Sequence, residues 1–205
     1  MILIFFLCFQ IAALVAAIWY WHSYKDTTQR YFLWFLIYVV SHEVLGLLYQ
    51  RVFDNNNDIL YNIFTLVSFP FYCCWFYKIL QKRKWLVYVL STAFAIAFLN
   101  DIVNINPFDY LYLNPIIIGA FCILVLTISY FVELLNKDAI TTFASSQKFW
   151  IVTGLFSFYI GLLPLLLFHS YLSYEGYFYE TVITVLNAVL YSCYLKSFIC
   201  LKKKI

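Results

Sequence analysis

Charge is what this sequence has least of. Only 11% of its 205 residues are Asp, Glu, Lys or Arg, against roughly 25% in an average soluble domain. So little polar surface cannot cover a water-facing globule, which excludes a soluble domain. The basic residues sit singly or in short groups at the ends of apolar runs, which excludes a nucleic-acid-binding surface. Glycine is scarce too, at five residues, while Phe, Tyr, Ile, Asn and Lys abound. Those five types share AT-rich codons, so aromatic richness is not by itself a sign of an aromatic-lined pocket. None of the six cysteines lies in a polar loop, so no disulfide framework is expected. Cys8, Cys73, Cys74, Cys122, Cys193 and Cys200 read as small apolar fillers.

Signature motifs are also missing. There is no G-x-S-x-G, no rhomboid-like serine motif, no Walker sequence and no H-E-x-x-H; "SHEVLGLL" has the His-Glu pair without the second histidine. Seven-helix lipid hydrolases of the ceramidase and adiponectin-receptor type need several histidines, including an H-x-x-x-H pair. Here His22, His42 and His169 fall on three separate segments. No metal and no cofactor is expected.

What the chain has is apolar length. It is 65% hydrophobic, in recurrent runs of about 18 or more residues, each enough to cross ~30 Å of hydrocarbon. The expected fold is all-α: one polytopic domain over 1–205 with seven transmembrane helices, at about 2–21, 31–50, 59–80, 85–103, 115–135, 149–169 and 177–200. "RVFDNNND" reads as a polar turn starting the third span near Asp58. Asn114-Pro115 reads as an N-cap with proline in the first turn. The fourth span is the weakest, because Asn100 and Asp101 interrupt its apolar stretch. The first span lacks a positive n-region and is expected to be an uncleaved helix.

Of the thirteen basic residues, all but Arg51 fall on one side of this seven-span layout. The positive-inside rule makes that side the cytoplasm, with the N-terminus outside and the C-terminus inside. The expected location is a bacterial inner membrane. Anionic lipid headgroups are the expected partners of the cytoplasmic lysines. Lys196 is expected to snorkel to that interface rather than to hold a chromophore.

Inside the spans, polar side chains need a reason to be there. His42 and Glu43 sit side by side in "VVSHEVLGLLYQ". Glu43 falls roughly 18 Å along its helix, where a charge costs ~2.5–3.5 kcal/mol on insertion scales. Gly46 removes a side chain beside both. The third span puts Asn62, Thr65, Phe69 and Tyr72 on one face. The sixth does the same with Thr153, Ser157, Gly161 and Pro164, and proline should kink it. The seventh carries a stripe of Glu180, Thr184, Asn187, Tyr191 and Tyr194. A polar centre in the outer half is expected from His42, Glu43, Asn62, Tyr159, His169 and Asn187. It could hold the helices in register, form a pocket open to the outside, or move protons. The outer acids Asp54, Asp58, Asp101, Asp109, Glu175 and Glu180 could form a weak cation-attracting vestibule.

The segments "YVVSHEVLGLLYQ", "DILYNIFTLVSF" and "FWIVTGLFSFYIGLLP" resemble those of the small seven-helix integral membrane proteins of Bacteroidota, of flavobacterial type. That resemblance implies the layout above and no activity. Size and orientation are also similar to bacterial seven-helix sensor modules. A non-enzymatic sensor, or a membrane subunit of a signalling or envelope complex, is therefore expected. Its output would pass through the basic loop "YKILQKRKW" and the Lys-rich tail to a separate signalling protein. A proton-coupled carrier and, last, a lipid-modifying enzyme using Glu43 and His42 are the alternatives.

Overall fold

The computed structural model describes residues 2–53, 57–106, 110–136, 143, 145–168 and 177–201. Among them there is no strand. The helices are α1 (Ile2–Trp19), the short α2 (Trp21–Tyr24), α3 (Arg30–Phe53), α4 (Asp58–Ile79), α5 (Lys84–Asn104), α6 (Leu113–Leu135), α7 (Gln147–Leu167) and α8 (Tyr177–Ile199). Six of them, α3 to α8, contain stretches long and apolar enough to cross a membrane. In α1 the described apolar stretch is the shorter Leu7–Trp19. The fourth expected span does not fail at Asn100 and Asp101: α5 runs through both to Asn104.

The helix starts correct one expectation. α4 begins at Asp58 behind Asn57, as the polar turn suggests. α6, however, begins at Leu113 behind Tyr112, so Asn114 is already inside the first turn and is not the N-cap. Its side chain turns to Asp101 instead, with Nδ2 donating to Oδ1 at 2.9 Å. Pro115 still falls in the first turn, where a missing N–H costs no helical hydrogen bond.

Packing closes the helices into a ring. α1 lies against α3 and α8, α3 against α4, α4 against α6, α6 against α7, and α7 against α8; α5 sits outside, against α4 and α6. One end of the ring carries the α4–α5 connection, with Lys82, Arg83 and Lys84, and the last turn of α8, with Lys196. It is called the basic end below, and the other is the distal end. Beyond the first turn, prolines enter two of the described helices: Pro164 in α7 and also Pro70 in α4, which the spacing of polar residues gives no cause to single out.

Helix association in hydrocarbon rests on close van der Waals packing and not on expulsion of water, so small residues at contacts matter. The most extensive contact, α7 with α8, uses two of the five glycines. A Cβ at Gly161 would collide with the Leu186 side chain. One at Gly154 would lie 2.8 Å from Cys193 Cβ and 3.2 Å from the Leu190 carbonyl oxygen. Between α3 and α4 the contact is aromatic. Phe35 stacks on Phe71 with centroids 4.1 Å apart, and Phe32 meets Trp75 edge-on at 4.9 Å.

At the basic end, the short α2 follows α1 after Tyr20. The last carbonyls of a helix lack intrahelical partners; the Tyr24 hydroxyl donates to one of these, Ala17 O, at 2.7 Å. The buried Tyr24 ring packs on Phe198 of α8 with centroids 5.2 Å apart. This one side chain ties α2 to the ends of two helices.

Two outcomes follow from these contacts. Gly154→Ala should lower the thermal midpoint of the purified protein by the equivalent of about 1–3 kcal/mol, the cost of overpacking a filled contact. Adding Cys193→Gly should recover part of that loss, and no recovery would mean that α7 and α8 do not meet there. Burial pushes the Tyr24 phenol above its ordinary value, near 10 when exposed. A raised folded pKa gives stability that is fully present below the unfolded value and lost as pH rises through the folded one. Tyr24→Phe loses the bond to Ala17 O and should be less stable than wild type at neutral pH. Because wild type alone loses stability as pH rises past the unfolded phenol value, the gap should close above about pH 10. Denaturation across pH 7–11 reads this directly.

Candidate functional site

The six polar residues expected to form one centre are sorted by the structure into different duties. His42 Nε2 lies 2.8 Å from the Leu60 carbonyl oxygen. A carbonyl only accepts, so Nε2 carries the proton and the bond ties α3 to the first turn of α4. The imidazole is flanked by Tyr38 and Phe64, with centroids at 5.7 and 5.1 Å. Asn62 is buried and faces the α5–α6 connection. Its Nδ2 donates to Tyr110 O at 3.0 Å, and its Oδ1 accepts from Tyr112 N–H at 2.8 Å. An amide carries one donor and one acceptor face, and here both grip the backbone of one turn. Asn187 is buried too, but its Nδ2 donates to Ile183 O of its own helix at 2.9 Å. His169 lies outside the described residues.

Glu43 and Tyr159 keep different company. Glu43 is half-buried, within electrostatic reach of Tyr61 on α4 and Tyr191 on α8. Among the described residues its carboxylate has no hydrogen-bond partner. Tyr159 of α7 lies within electrostatic reach of Tyr72, Tyr191 and Tyr194. These three tyrosines are buried and joined. Tyr72 and Tyr194 share a hydrogen bond at 3.2 Å, and the Tyr191 and Tyr194 rings meet edge-on at 5.7 Å. On the far side, Gln10 of α1 donates from Nε2 to the Tyr191 hydroxyl at 3.4 Å. Gln10 is only 1% exposed, and its Oε1 has no hydrogen-bond partner among the described residues.

A tyrosine cluster thus draws on five helices: α1 through Gln10, α3 through Glu43, α4 through Tyr72, α7 through Tyr159, and α8 through Tyr191 and Tyr194. A phenol suits such a place, since its ring packs with apolar neighbours while one hydroxyl both donates and accepts. Gln10 is the member that helical faces do not reveal. Its only signal is being the first polar side chain in "MILIFFLCFQ".

The rest of the expected pattern divides likewise. Gly46 is buried, and a Cβ there would meet only Asn57 Nδ2, at an ordinary 3.8 Å, among the described residues. The polar stripe of α8 breaks in two. Thr184 returns its hydroxyl to Glu180 O at 2.8 Å, while Tyr191 and Tyr194 bond to side chains of other helices. The acidic rim is thinner than expected, because Asp101 is inside the fold at 1% exposure. Its Oδ1 accepts from Asn114 and Asn100, and its Oδ2 has no hydrogen-bond partner among the described residues. Asp54, Asp109 and Glu175 lie outside the described residues. Among the described residues no three His, Cys, Asp or Glu side chains gather where they could hold a metal ion.

Glu133 escaped notice in the sequence, where it looks like an ordinary charge at a helix end. Its carboxylate accepts three successive backbone N–H groups of the α4–α5 connection: Gln81 at 2.8 Å through Oε2, and Lys82 and Arg83 at 2.9 Å through Oε1. Charge-assisted bonds of this kind are about twice as strong as neutral ones.

Compared with known proteins, the chain matches no family, no curated protein and no solved structure.

The Tyr72–Tyr194 pair has a clear thermodynamic signature. Removing one partner leaves the other hydroxyl buried and unpaired, at about 1–3 kcal/mol, whereas removing both is nearer neutral. Tyr194→Phe should thus destabilise the purified protein more than the double variant with Tyr72→Phe. Strictly additive losses would sink the pairing.

Proposed function

We propose that this chain is a seven-helix, multi-pass protein of the bacterial inner membrane. Its N-terminus is outside and its C-terminus is in the cytoplasm. It works without chemistry, as a sensor or as the membrane subunit of a signalling or envelope complex, and is of the small flavobacterial type that its segments resemble. α1 supports the seventh span, since it is an 18-residue helix packed into the ring against α3 and α8. The orientation rests on the basic end, which the positive-inside rule assigns to the cytoplasm.

The observation that carries the functional reading is the tyrosine cluster. Its groups bond or approach one another across five helices, so a shift of any one helix changes the partners of the others. That is what a bundle needs to pass a displacement from one side of the membrane to the other. Ligand entry from the distal end toward Glu43 fits this role, with His42, Asn62 and Asn187 shaping the approach. Output leaves through the α4–α5 connection and the lysine-rich tail.

A proton-coupled carrier is the second reading, favoured by one specific observation. Glu43 is half-buried, without a hydrogen bond among the described residues, and near the Tyr191 hydroxyl.

Native mass spectrometry of gently solubilised wild type beside Glu43→Gln tests the first reading. A small molecule retained by wild type and lost from the variant is expected. A bare protein of equal stability in both samples would remove Glu43 from any ligand site. Proton entry into proteoliposomes under a pH gradient, abolished by Glu43→Gln, would move the assignment to the carrier.

A further inference from the structure

A groove runs between α3 and α4 on the outer side of the ring. It holds about 460 Å³, within the ~300–1,000 Å³ typical of small-molecule sites. Trp34, Phe35 and Tyr38 of α3 form one wall, and Val67, Phe71 and Trp75 of α4 form the other. Trp34 is 65% exposed and Val67 41%, so the groove opens away from the bundle axis, where hydrocarbon surrounds a membrane-spanning helix.

The end of this groove nearest the basic end is cationic. Tyr31 and Lys78 line it. Lys78 Nζ stands 3.9 Å from the centroid of the Tyr31 ring, and the Arg30 guanidinium carbon stands 4.8 Å from the same centroid. Arg30 also donates from Nη2 to the Tyr31 hydroxyl at 2.8 Å. Two cations therefore share one aromatic ring at the mouth of an apolar channel. Among the described residues neither forms an ion pair. Asp26 is the acid within electrostatic reach of Arg30.

We propose that the α3–α4 groove binds an anionic phospholipid, with one acyl chain along the aromatic walls and the phosphate on Arg30 and Lys78. The charge distribution selects that occupant. Rings and aliphatic groups fill the length of the groove, where a chain of methylenes gains contact and loses nothing. Both charges lie at the end that meets headgroups, and both are positive. A zwitterionic lipid brings its own cation to the same place and loses part of that attraction. The Tyr31 ring keeps the two cations together by presenting its negative face to each.

The opposite side of the ring repeats the arrangement more weakly. A groove of about 410 Å³ runs along α7 and α8, lined by Val185, Ala188 and Val189, with Lys196 and Trp150 also lining it. Lys196 Nζ stands 5.8 Å from the Trp150 ring. With one cation instead of two, this second groove should hold the same lipid less tightly. Neither groove depends on what the buried tyrosine cluster does.

The test is lipid retention by the full chain in native mass spectrometry, with phosphatidylglycerol and phosphatidylcholine supplied in equal amounts. Wild type should retain phosphatidylglycerol in preference. Arg30→Gln/Lys78→Gln should weaken that retention on the order of 30-fold, the effect of losing two surface cations. Lys25→Gln/Lys82→Gln, with the same change in net charge, should retain it. Equal retention by both double variants, or equal uptake of phosphatidylcholine by wild type, would overturn the proposal. So would competition by glycerol 3-phosphate as strong as that by the whole lipid, because the groove would then play no part. Cys74 gives a second readout on the unaltered protein, since it lines the groove and is exposed. Phosphatidylglycerol, and not phosphatidylcholine, should slow its alkylation by N-ethylmaleimide; an unchanged rate counts against occupancy.

Discussion

Hydrocarbon offers no hydrogen bonds, so a chain that lives in it must satisfy its backbone from within. Helices do this along their length and fail at their ends, where four N–H and four C=O groups are left over. The connections on either side of α5 show how the failure is met. At the basic end the Glu133 carboxylate, projecting from α6, takes the three N–H groups of Gln81, Lys82 and Arg83. At the distal end the Asn62 amide, projecting from α4, takes Tyr110 O and Tyr112 N–H. α5 stands outside the ring and touches only α4 and α6 extensively. Its two flanking connections are held by one polar side chain from each of those helices. The choice of group follows the backbone on offer. Three converging donors call for a carboxylate with two acceptor oxygens, while one donor and one acceptor call for an amide.

Within the ring, cohesion comes from shape. Lipid tails are as apolar as leucine, so burying a leucine against another helix gains little unless the fit is close. Two of these fits are made by opposite means. Between α7 and α8, glycine lets Leu186 and Cys193 approach a neighbouring backbone. Between α3 and α4, flat rings interleave: Phe35 on Phe71, Phe32 on Trp75, and Phe35 on Tyr72 at 5.1 Å. An AT-rich coding bias accounts for an abundance of Phe and Tyr. It does not account for their meeting at stacking and edge-on distances, which is a property of the fold.

Much of this architecture is legible in the sequence because hydrophobic length is a one-dimensional signal. A run of apolar residues must be a helix if it crosses hydrocarbon, and its ends are marked by charge or by a turn such as "DNNND". The helix limits agree to within about two or three residues at most ends. The internal polar contacts are another matter. Periodicity places Asn62, Tyr72, Asn187 and Tyr191 on faces, but says nothing about the axial register of one helix against the next. Asn62 meets a turn far along the chain at Tyr110, whereas the Asn187 amide, among the described residues, hydrogen-bonds only within its own helix. Gln10 looks incidental until α1 is set beside α8, where it becomes the partner of Tyr191. Asp101 reads as a loop acid because it closes an apolar run. Only the fold brings Asn114 to it.

The groove on the outside and the polar cluster on the inside are separated by a single layer of rings. Phe35 and Phe71 wall the groove, and each packs on Tyr72, with centroids at 5.1 and 5.6 Å. Tyr72 then shares its hydroxyl with Tyr194. Phe32 bridges the same layer from Trp75 in the groove wall to Tyr194 at 5.6 Å. An occupant that reorients Phe71 must therefore change what backs Tyr72, because a close-packed layer has no slack to absorb the movement. Contact alone does not transmit a signal; a free-energy difference between two arrangements does. The Tyr72–Tyr194 bond is suited to supply one, since a hydroxyl pair buried among rings is either made or broken, and the broken state leaves two groups unsatisfied. In this geometry the outer groove and the polar interior bear on the same Tyr72–Tyr194 contact. α4 belongs to both, and its basic end leads directly into the connection that Glu133 holds.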